Sequence, residues 1–219
     1  MKYTTVIFDL DGTLLNTLED LADGVNYIMA KYGYPVHTLE EIRCFVGNGI
    51  RKLMERATPM GVENPMFEQI FRDFKEYYTS HCQVKTHVYP GITELLHVLR
   101  TEYQCKMAIV SNKNMEAVQE LNQIYFSDSM DLAVGEQKGV RKKPFPDEVE
   151  TVIQELEAEK HQVLYVGDSE VDKETADNAG IDCVLVSWGF RDKEKLIALR
   201  PLGVIDTPEE LLDYICGIN

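Results

Sequence analysis

Apolar runs that are almost free of polar side chains recur along this 219-residue chain, with segments of helical periodicity between them. Strands of a parallel sheet covered by helices on both faces have this pattern, whereas half-exposed strands alternate apolar and polar residues. The alternation of strand and helix predicts an α/β fold with a doubly wound parallel sheet. The predicted core strands are TTVIFD, KMAIVSNK, DLAVG, VLYVGD and CVLVSWG, and the predicted core helices cover residues 92–100, 114–123, 146–159 and 170–179.

One connection is much longer than a crossover between parallel strands requires, because about ninety residues separate the first two strands. Most of this segment has helical periodicity, and Thr17 with Asp20 fits a capping box at its start. The predicted helices cover residues 17–32, 38–46, 50–57 and 66–82. We therefore predict an inserted all-α cap over residues 17–83 and an α/β catalytic core made of residues 1–16 and 84–219.

Charge and cysteine content restrict the class of protein. The formal net charge of −15 disfavours general binding to nucleic acids or to anionic membranes, both of which require basic surfaces. Five scattered cysteines without a C-x-x-C pair indicate a reduced, cytoplasmic compartment. No signal peptide and no apolar stretch of about 18 residues is evident, so no membrane segment is predicted. The oligomeric state, monomer or dimer, stays open.

Polar side chains follow three of the predicted strands where each strand ends. They are Asp9 and Asp11 after the first strand, Ser111, Asn112 and Lys113 after the second, and Asp168 and Ser169, with Asp172 four residues after Asp168, at the end of the fourth. Each group alone has an ordinary explanation as a turn or a helix cap. In an open α/β sheet, however, the carboxyl ends of the strands meet at one edge, where ligands bind. Four carboxylates gathered there repel one another unless a cation neutralises them.

This set of groups suits a metal ion beside a phosphoryl group. Carboxylate and carbonyl oxygens are hard ligands of the kind that Mg²⁺ takes, commonly together with substrate phosphate. The hydroxyl of Ser111 and the amide of Asn112 can donate to phosphoryl oxygens, and a lysine of the segment GVRKKPFPD would add positive charge. On this ground Lys142 and Lys143 are both candidates, and both also fit an ordinary solvated surface.

The motifs DLDGT, SNK, KKPFPD and VGDSEVD, in this order and spacing, resemble the four motifs of the haloacid dehalogenase superfamily. The resemblance extends over essentially the whole sequence and includes a helical cap inserted after the first strand of a Rossmann-like core. Within the superfamily, GNGIRKLMERA in the cap and SWGF after the fifth strand are similar to the phosphoglycolate phosphatase group.

The resemblance implies a role for each motif residue. Asp9 is then the nucleophile that forms an aspartyl-phosphate, and Asp11 is the general acid for the leaving oxygen and later the base for water. The lysine of the family directly precedes a proline, which selects Lys143 over Lys142. The implied phosphoryl-binding residues are Gly12, Ser111, Asn112 and Lys143, and the implied Mg²⁺ ligands are Asp9, the main-chain carbonyl of Asp11, Asp168 and, in support, Asp172.

Two cap residues are candidates for contact with the far end of a substrate. Asn48 lies between two glycines just before a predicted helix, where main-chain N–H groups could bind an anion. Arg51 follows one turn later and could bind a carboxylate or phosphate. A loop with a helix cap and an exposed arginine also need no such role.

These features together predict a Mg²⁺-dependent phosphatase for a small phosphorylated metabolite, most like phosphoglycolate. The alternatives within the same chemistry are a nucleotide, pyrophosphate or a sugar phosphate, including a phosphomutase. The alternative from another class is a signalling module in which Asp9 is only a phosphoryl acceptor.

Overall fold

The structure, a computed structural model, describes residues 2–217 of the chain. The chain divides into two compact units. The first unit holds the residues up to Leu14 and from Val88 onward, and the second unit is Leu15–His87. Among the described residues, no helix is both long enough and apolar enough to cross a lipid bilayer.

The strands of the described chain form one large and one small sheet. They are β1 (Thr5–Phe8), β2 (Leu15–Asn16), β3 (His87–Val88), β4 (Lys106–Asn114), β5 (Leu132–Glu136), β6 (Val163–Gly167), β7 (Asp182–Val186) and β8 (Gly203–Ile205). The large sheet has six strands in the order β5-β4-β1-β6-β7-β8, and all its pairings are parallel. The small sheet pairs β2 with β3.

The strand order of the large sheet creates a switch point beside β1. From β1 the chain first builds outward through β4 and β5, then returns to the other side of β1 with β6. Phe8 at the end of β1 pairs with Ile109 of β4 and with Val166 of β6. Ligands of doubly wound sheets bind beyond the carboxyl ends of the strands at such a point. The predicted doubly wound parallel sheet is therefore confirmed.

The helices of the described chain lie close to their predicted positions. They are α1 (Leu18–Lys31), α2 (Leu39–Phe45), α3 (Ile50–Ala57), α4 (Phe67–His81), α5 (Ile92–Thr101), α6 (Met115–Tyr125), α7 (Asp147–Glu155), α8 (Glu170–Ala179), α9 (Lys193–Ala198) and α10 (Pro208–Cys216). Helix α7 is shorter than the predicted 146–159, since Glu157 has a φ of 49° that no α-helix continues. Helix α9, like the strands β2 and β3, was not predicted.

The central strands are buried on both faces, which explains their near-continuous apolar sequences. Val6, Ile7 and Phe8 of β1 have no exposed surface, and neither have Leu164 and Val166 of β6. Burying an aliphatic or aromatic side chain of this size contributes roughly 1.5–3 kcal/mol. The sheet therefore provides a rigid support for the groups at its carboxyl edge.

The second unit is helical, and a buried carboxylate links its first helix to its last residues. Asp20 of α1 is 2% exposed and accepts hydrogen bonds from the main-chain N–H of Lys85 (2.9 Å) and of Thr86 (2.8 Å) and from the Thr86 hydroxyl (2.8 Å). Thr17 makes no capping hydrogen bond, so the predicted capping box is wrong. Asp20 instead joins α1 to the segment that follows α4.

Candidate active site

Asp9 stands at the switch point with one carboxylate oxygen held and the other free. Its N–H donates to the carbonyl of Val166 (2.9 Å), which extends the pairing of β1 and β6 by one residue. Its Oδ1 accepts from the N–H of Leu10 (2.7 Å) and lies 2.9 Å from Nζ of Lys143. Among the described residues no hydrogen bond reaches Oδ2. A fixed carboxylate with one unengaged oxygen is suited to attack a ligand.

Lys143 is a buried ammonium held between two carboxylates. Its Nζ lies 2.8 Å from Oδ1 of Asp172 and 3.0 Å from the hydroxyl of Tyr165, in addition to its contact with Asp9. Burial alone lowers the pKa of Lys143, but the charges of Asp172 and Asp9 outweigh it and hold that pKa well above its ordinary value. Lys142, by contrast, has no salt bridge with any residue of 2–217. Of the two candidate lysines, only Lys143 reaches Asp9.

Asp172 organises the loop after β6. Its Oδ2 accepts hydrogen bonds from the N–H groups of Asp168 and Ser169 (both 3.1 Å) and from the Ser169 hydroxyl (2.6 Å), which forms a capping box at the start of α8. Its Oδ1 faces Lys143. Both oxygens of this carboxylate are therefore engaged, and Asp172 orients Lys143 as well as the neighbouring acid.

Asp168 projects into a space that glycine keeps open. Its Oδ2 accepts from the N–H of Phe190 (2.6 Å), and among residues 2–217 its Oδ1 has no hydrogen-bond partner. A Cβ on Gly12, whose φ is 90°, would lie 2.3 Å from Asp168 Oδ2, and a Cβ on Gly189 would lie 2.4 Å from the same atom. Side chains at either glycine would therefore displace the carboxylate. The packing against Asp168 therefore requires glycine at position 12, whether or not Gly12 also contacts a phosphoryl group.

The acids at this edge fit a divalent cation. Asp9, Asp168 and Asp172 each offer one carboxylate oxygen within 4.8 Å of the others. Burial raises the pKa of Asp9 to about 7, with Lys143 opposing the shift, and burial raises the pKa of Asp168 well above its ordinary value, reinforced by Asp172 and Asp9. The buried ammonium of Lys143 thus faces a cluster of three buried carboxylates at this edge. Hard divalent cations prefer sites of this kind, in which all donors are oxygen atoms and negative charge exceeds positive charge.

Asp11 has a cationic partner, Lys113, which the sequence placed at a strand end but to which no role was assigned. Lys113 Nζ lies 3.1 Å and 3.3 Å from the two carboxylate oxygens of Asp11, and the side chain of this lysine is 4% exposed. The signal available in the sequence was the position of Lys113 directly after Ser111 and Asn112. Tyr165, which contacts Lys143, is a second residue that was missed, because its place inside an apolar strand resembles that of a core residue.

Ser111 and Asn112 lie in the second half of β4, beyond Ile109, which pairs with Phe8 of β1. The hydroxyl oxygen of Ser111 accepts from the N–H of Lys113 (3.2 Å), which leaves its own O–H available as a donor. The Asn112 side-chain N–H donates to the carbonyl of Lys143 (3.2 Å), while its Oδ1 is buried without a partner among the described residues. Neither residue caps α6, since Asn114 does so by accepting from the N–H of Ala117 (2.8 Å).

The two cap candidates have partners within the second unit. Oδ1 of Asn48 accepts from the guanidinium of Arg56 (2.8 Å). Arg51 pairs with Glu68, and its guanidinium lies 5.1 Å from the ring centres of both Phe67 and Phe71. These contacts orient the two side chains, and their role toward a substrate stays a prediction.

We expect Lys113→Met to lower kcat by roughly a hundredfold, because Asp11, the proton carrier that the family resemblance implies, would lose the charge that orients it. The KM should stay within about threefold, since Lys113 is assigned no substrate contact. Steady-state kinetics on an aryl phosphate measure both constants. Lys113→Arg should restore much of kcat, and Lys138→Met, at an exposed lysine, should change neither constant. A Lys113→Met enzyme with wild-type kcat would contradict the role of this ion pair.

Comparison with known proteins identifies related sequences and structures. A family model described as haloacid dehalogenase-like hydrolase matches residues 6–186. The phosphoglycolate phosphatase of Pseudomonas syringae pv. syringae is 33% identical over 213 residues, which cover 94% of this chain and 78% of that protein. The phosphoglycolate phosphatase of Rhodobacter capsulatus is 34% identical over 190 residues, which cover 85% of each. A crystal structure of a protein from Lactobacillus delbrueckii subsp. bulgaricus has a TM-score of 0.94 at 36% identity and covers 98% of this chain and 99% of its own.

Proposed function

We propose, from the premise that this chain belongs to the haloacid dehalogenase-like hydrolases and is a phosphatase, that it hydrolyses a small phosphomonoester through an aspartyl-phosphate on Asp9. The observation that carries the proposal is the Asp9 carboxylate at the switch point. One of its oxygens is held by the N–H of Leu10 and by Lys143, and the other has no partner among the described residues. Family membership rules out the alternative of a signalling module.

The proposed reaction has two displacements at phosphorus. In the first, Asp9 Oδ2 attacks phosphorus, the ester P–O bond breaks, and Asp11 gives its proton to the leaving alcohol oxygen. In the second, Asp11 takes a proton from water, the water oxygen attacks phosphorus, and the bond to Asp9 breaks to release inorganic phosphate. Lys143 offsets the charge between Asp9 and the phosphoryl oxygens. The O–H of Ser111 and the side chain of Asn112 are the proposed donors to those oxygens.

We propose Mg²⁺ as the cation of this site. Asp9, Asp168 and the main-chain carbonyl of Asp11 would hold it, with Asp172 in support. Bound there, the ion would neutralise charge on the carboxylates and on the phosphoryl oxygens. The engagement of both Asp172 oxygens supports an indirect role for that residue, since three donors and Lys143 already occupy them.

Phosphoglycolate is the proposed substrate, supported by the names of the relatives and by the likeness of the cap motif. Asn48 and Arg51 are the proposed contacts for its carboxylate. A nucleotide, pyrophosphate and a sugar phosphate remain alternatives of the same chemistry, as does a phosphomutase reaction. A cytoplasmic location stays a prediction that is supported by the five cysteines, none of which forms a disulfide among the described residues, and monomer and dimer both remain open.

An assay of phosphate release tests the proposal. The protein is stripped of metal by a chelator, then supplied with Mg²⁺ or Ca²⁺, and assayed with phosphoglycolate, a sugar phosphate, a nucleotide, pyrophosphate and an aryl phosphate. We expect hydrolysis only with Mg²⁺, because the larger Ca²⁺ takes more ligands and misplaces the Asp9 carboxylate. The kcat/KM should be at least tenfold higher for phosphoglycolate than for the others.

Two outcomes would contradict different parts of this proposal. Full activity in excess chelator would refute the metal assignment. A higher kcat/KM for the nucleotide or the sugar phosphate would refute phosphoglycolate and leave the phosphatase chemistry in place.

A further inference from the structure

A cavity of the first unit lies between α6, β5 and α7, and has a volume of ≈ 470 Å³. Its apolar lining comes from Met115, Leu132, Ala133, Val134 and Val140. None of the residues placed at the candidate active site lines it. The cavity is large enough for a small organic molecule.

Glu148 of α7 gives this cavity an unusual charge. The residue lines the cavity and is 1% exposed, yet neither of its carboxylate oxygens has a hydrogen-bond partner among the described residues. Buried polar groups nearly always have a partner, because an unpartnered one costs about 1–3 kcal/mol or more when charged. Asn122 of α6 also lines the cavity and carries a buried Oδ1 without a partner.

The surroundings of Glu148 do not supply the missing partner. Burial raises its pKa to about 7; Lys143 and Lys142 act against the shift, and Glu136 and Asp147 add to it. No lysine, arginine or histidine is among the described residues that line the cavity. The unpartnered atoms of the lining are thus all acceptors when the Glu148 carboxylate is ionised, and a ligand that brings donors would satisfy them.

The other acids of the lining strengthen the preference for positive charge. Asp131 and Glu155 line the cavity together with Glu148. Asp131 is engaged by Arg100 (2.8 Å and 3.0 Å) and by the N–H of Met107, so its charge is partly offset. The chain as a whole carries a net charge of −15, which also attracts cations.

We propose that this cavity is a binding site for a small organic cation, an amine or guanidinium compound with an apolar body. Its positive group would pair with the Glu148 carboxylate, and its remaining N–H groups would donate to Oδ1 of Asn122. The apolar body would lie against Met115, Leu132 and Val134. This ligand is distinct from the phosphorylated substrate, whose charge is opposite.

Titration with benzylammonium, followed by the amide resonances of the isotope-labelled full chain at pH 8, tests the proposal. We expect saturable shifts concentrated in residues 115–122, 132–140 and 148–155. Benzyl alcohol, which has the same ring without the charge, should bind at least tenfold more weakly. Glu148→Gln should also weaken benzylammonium binding at least tenfold, because the amide keeps the shape and loses the charge.

Glu150→Gln is the matched control, since it removes one exposed charge from the same helix and should leave binding unchanged. The proposal is overturned if benzylammonium produces no saturable shifts, if benzyl alcohol binds equally well, or if Glu148→Gln binds like the wild type. The comparison of the charged and neutral ligands uses the wild-type protein, so it remains decisive even if Glu148→Gln fails to fold.

Discussion

Asp9→Asn should lower phosphate release by roughly four orders of magnitude or more, the loss expected when a covalent nucleophile is removed. The amide keeps the shape of the side chain, and its oxygen can still accept from the N–H of Leu10. It cannot form the bond to phosphorus that the carboxylate forms. Steady-state assays with phosphoglycolate and with an aryl phosphate should give the same loss, because the step is common to all substrates.

The stability of Asp9→Asn separates loss of chemistry from loss of fold. Burial raises the pKa of Asp9 to about 7, so ionised Asp9 destabilises the metal-free folded state. This cost is absent near pH 3, where the group is protonated in both states, grows as the pH rises toward 7, and is complete above it. Without metal at pH 8, the variant should therefore have a Tm no lower than the wild type.

Asp128→Asn is the control for both measurements, since Asp128 is an exposed acid and its change should alter neither activity nor Tm. An Asp9→Asn enzyme that keeps more than a trace of activity would show that the reaction does not pass through Asp9. A well-folded, inactive variant is the outcome that agrees with the covalent mechanism.

Lys143→Met should lower kcat/KM by roughly a hundred- to a thousandfold, the usual cost of removing one charged donor from a reacting centre. It should also destabilise the protein, by about 3–5 kcal/mol, because Asp9 and Asp172 lose the ammonium that they share. Lys142→Met removes the same charge one residue earlier in the sequence and should be close to wild type. Kinetics and thermal unfolding of both variants measure these effects.

The double variant Lys143→Met with Asp9→Asn tests the origin of the instability. Removal of the second charge should recover part of the lost Tm while activity stays absent. If Lys142→Met loses as much activity as Lys143→Met, the basic segment acts as a diffuse patch. The specific contact with Asp9 would then have no special role.

The central strands were predictable because burial on both faces gives them near-continuous apolar sequences. The run VIF and the run VLYV are apolar throughout, and both are central strands. The helix end at Gly180 and the cap of α10 by Thr207, with Pro208 next, also depend on residues adjacent in sequence. Such features need no knowledge of the rest of the fold.

Contacts between residues that are far apart in the sequence could not be predicted in this way. Thr17 and Asp20 have the spacing of a capping box, but main-chain donors at Lys85 and Thr86 bind the carboxylate instead. The pairing of Lys113 with Asp11 depends on the register of β4 beside β1, which the sequence does not specify. The same holds for Glu148, which reads as a surface acid on an amphipathic helix and is buried.

The central place of β1 also governs when the enzyme can begin to work during its own synthesis. Thr5 pairs with Lys106 and Val163, which leave the ribosome about 100 and 160 residues later. At the usual synthesis rate of 5–20 residues per second, Asp172 is added to the chain roughly 8–30 s after Asp9. The helical unit Leu15–His87 is complete long before then. A nascent chain shorter than 143 residues lacks the ammonium beside Asp9, so we expect no phosphate release from any such fragment.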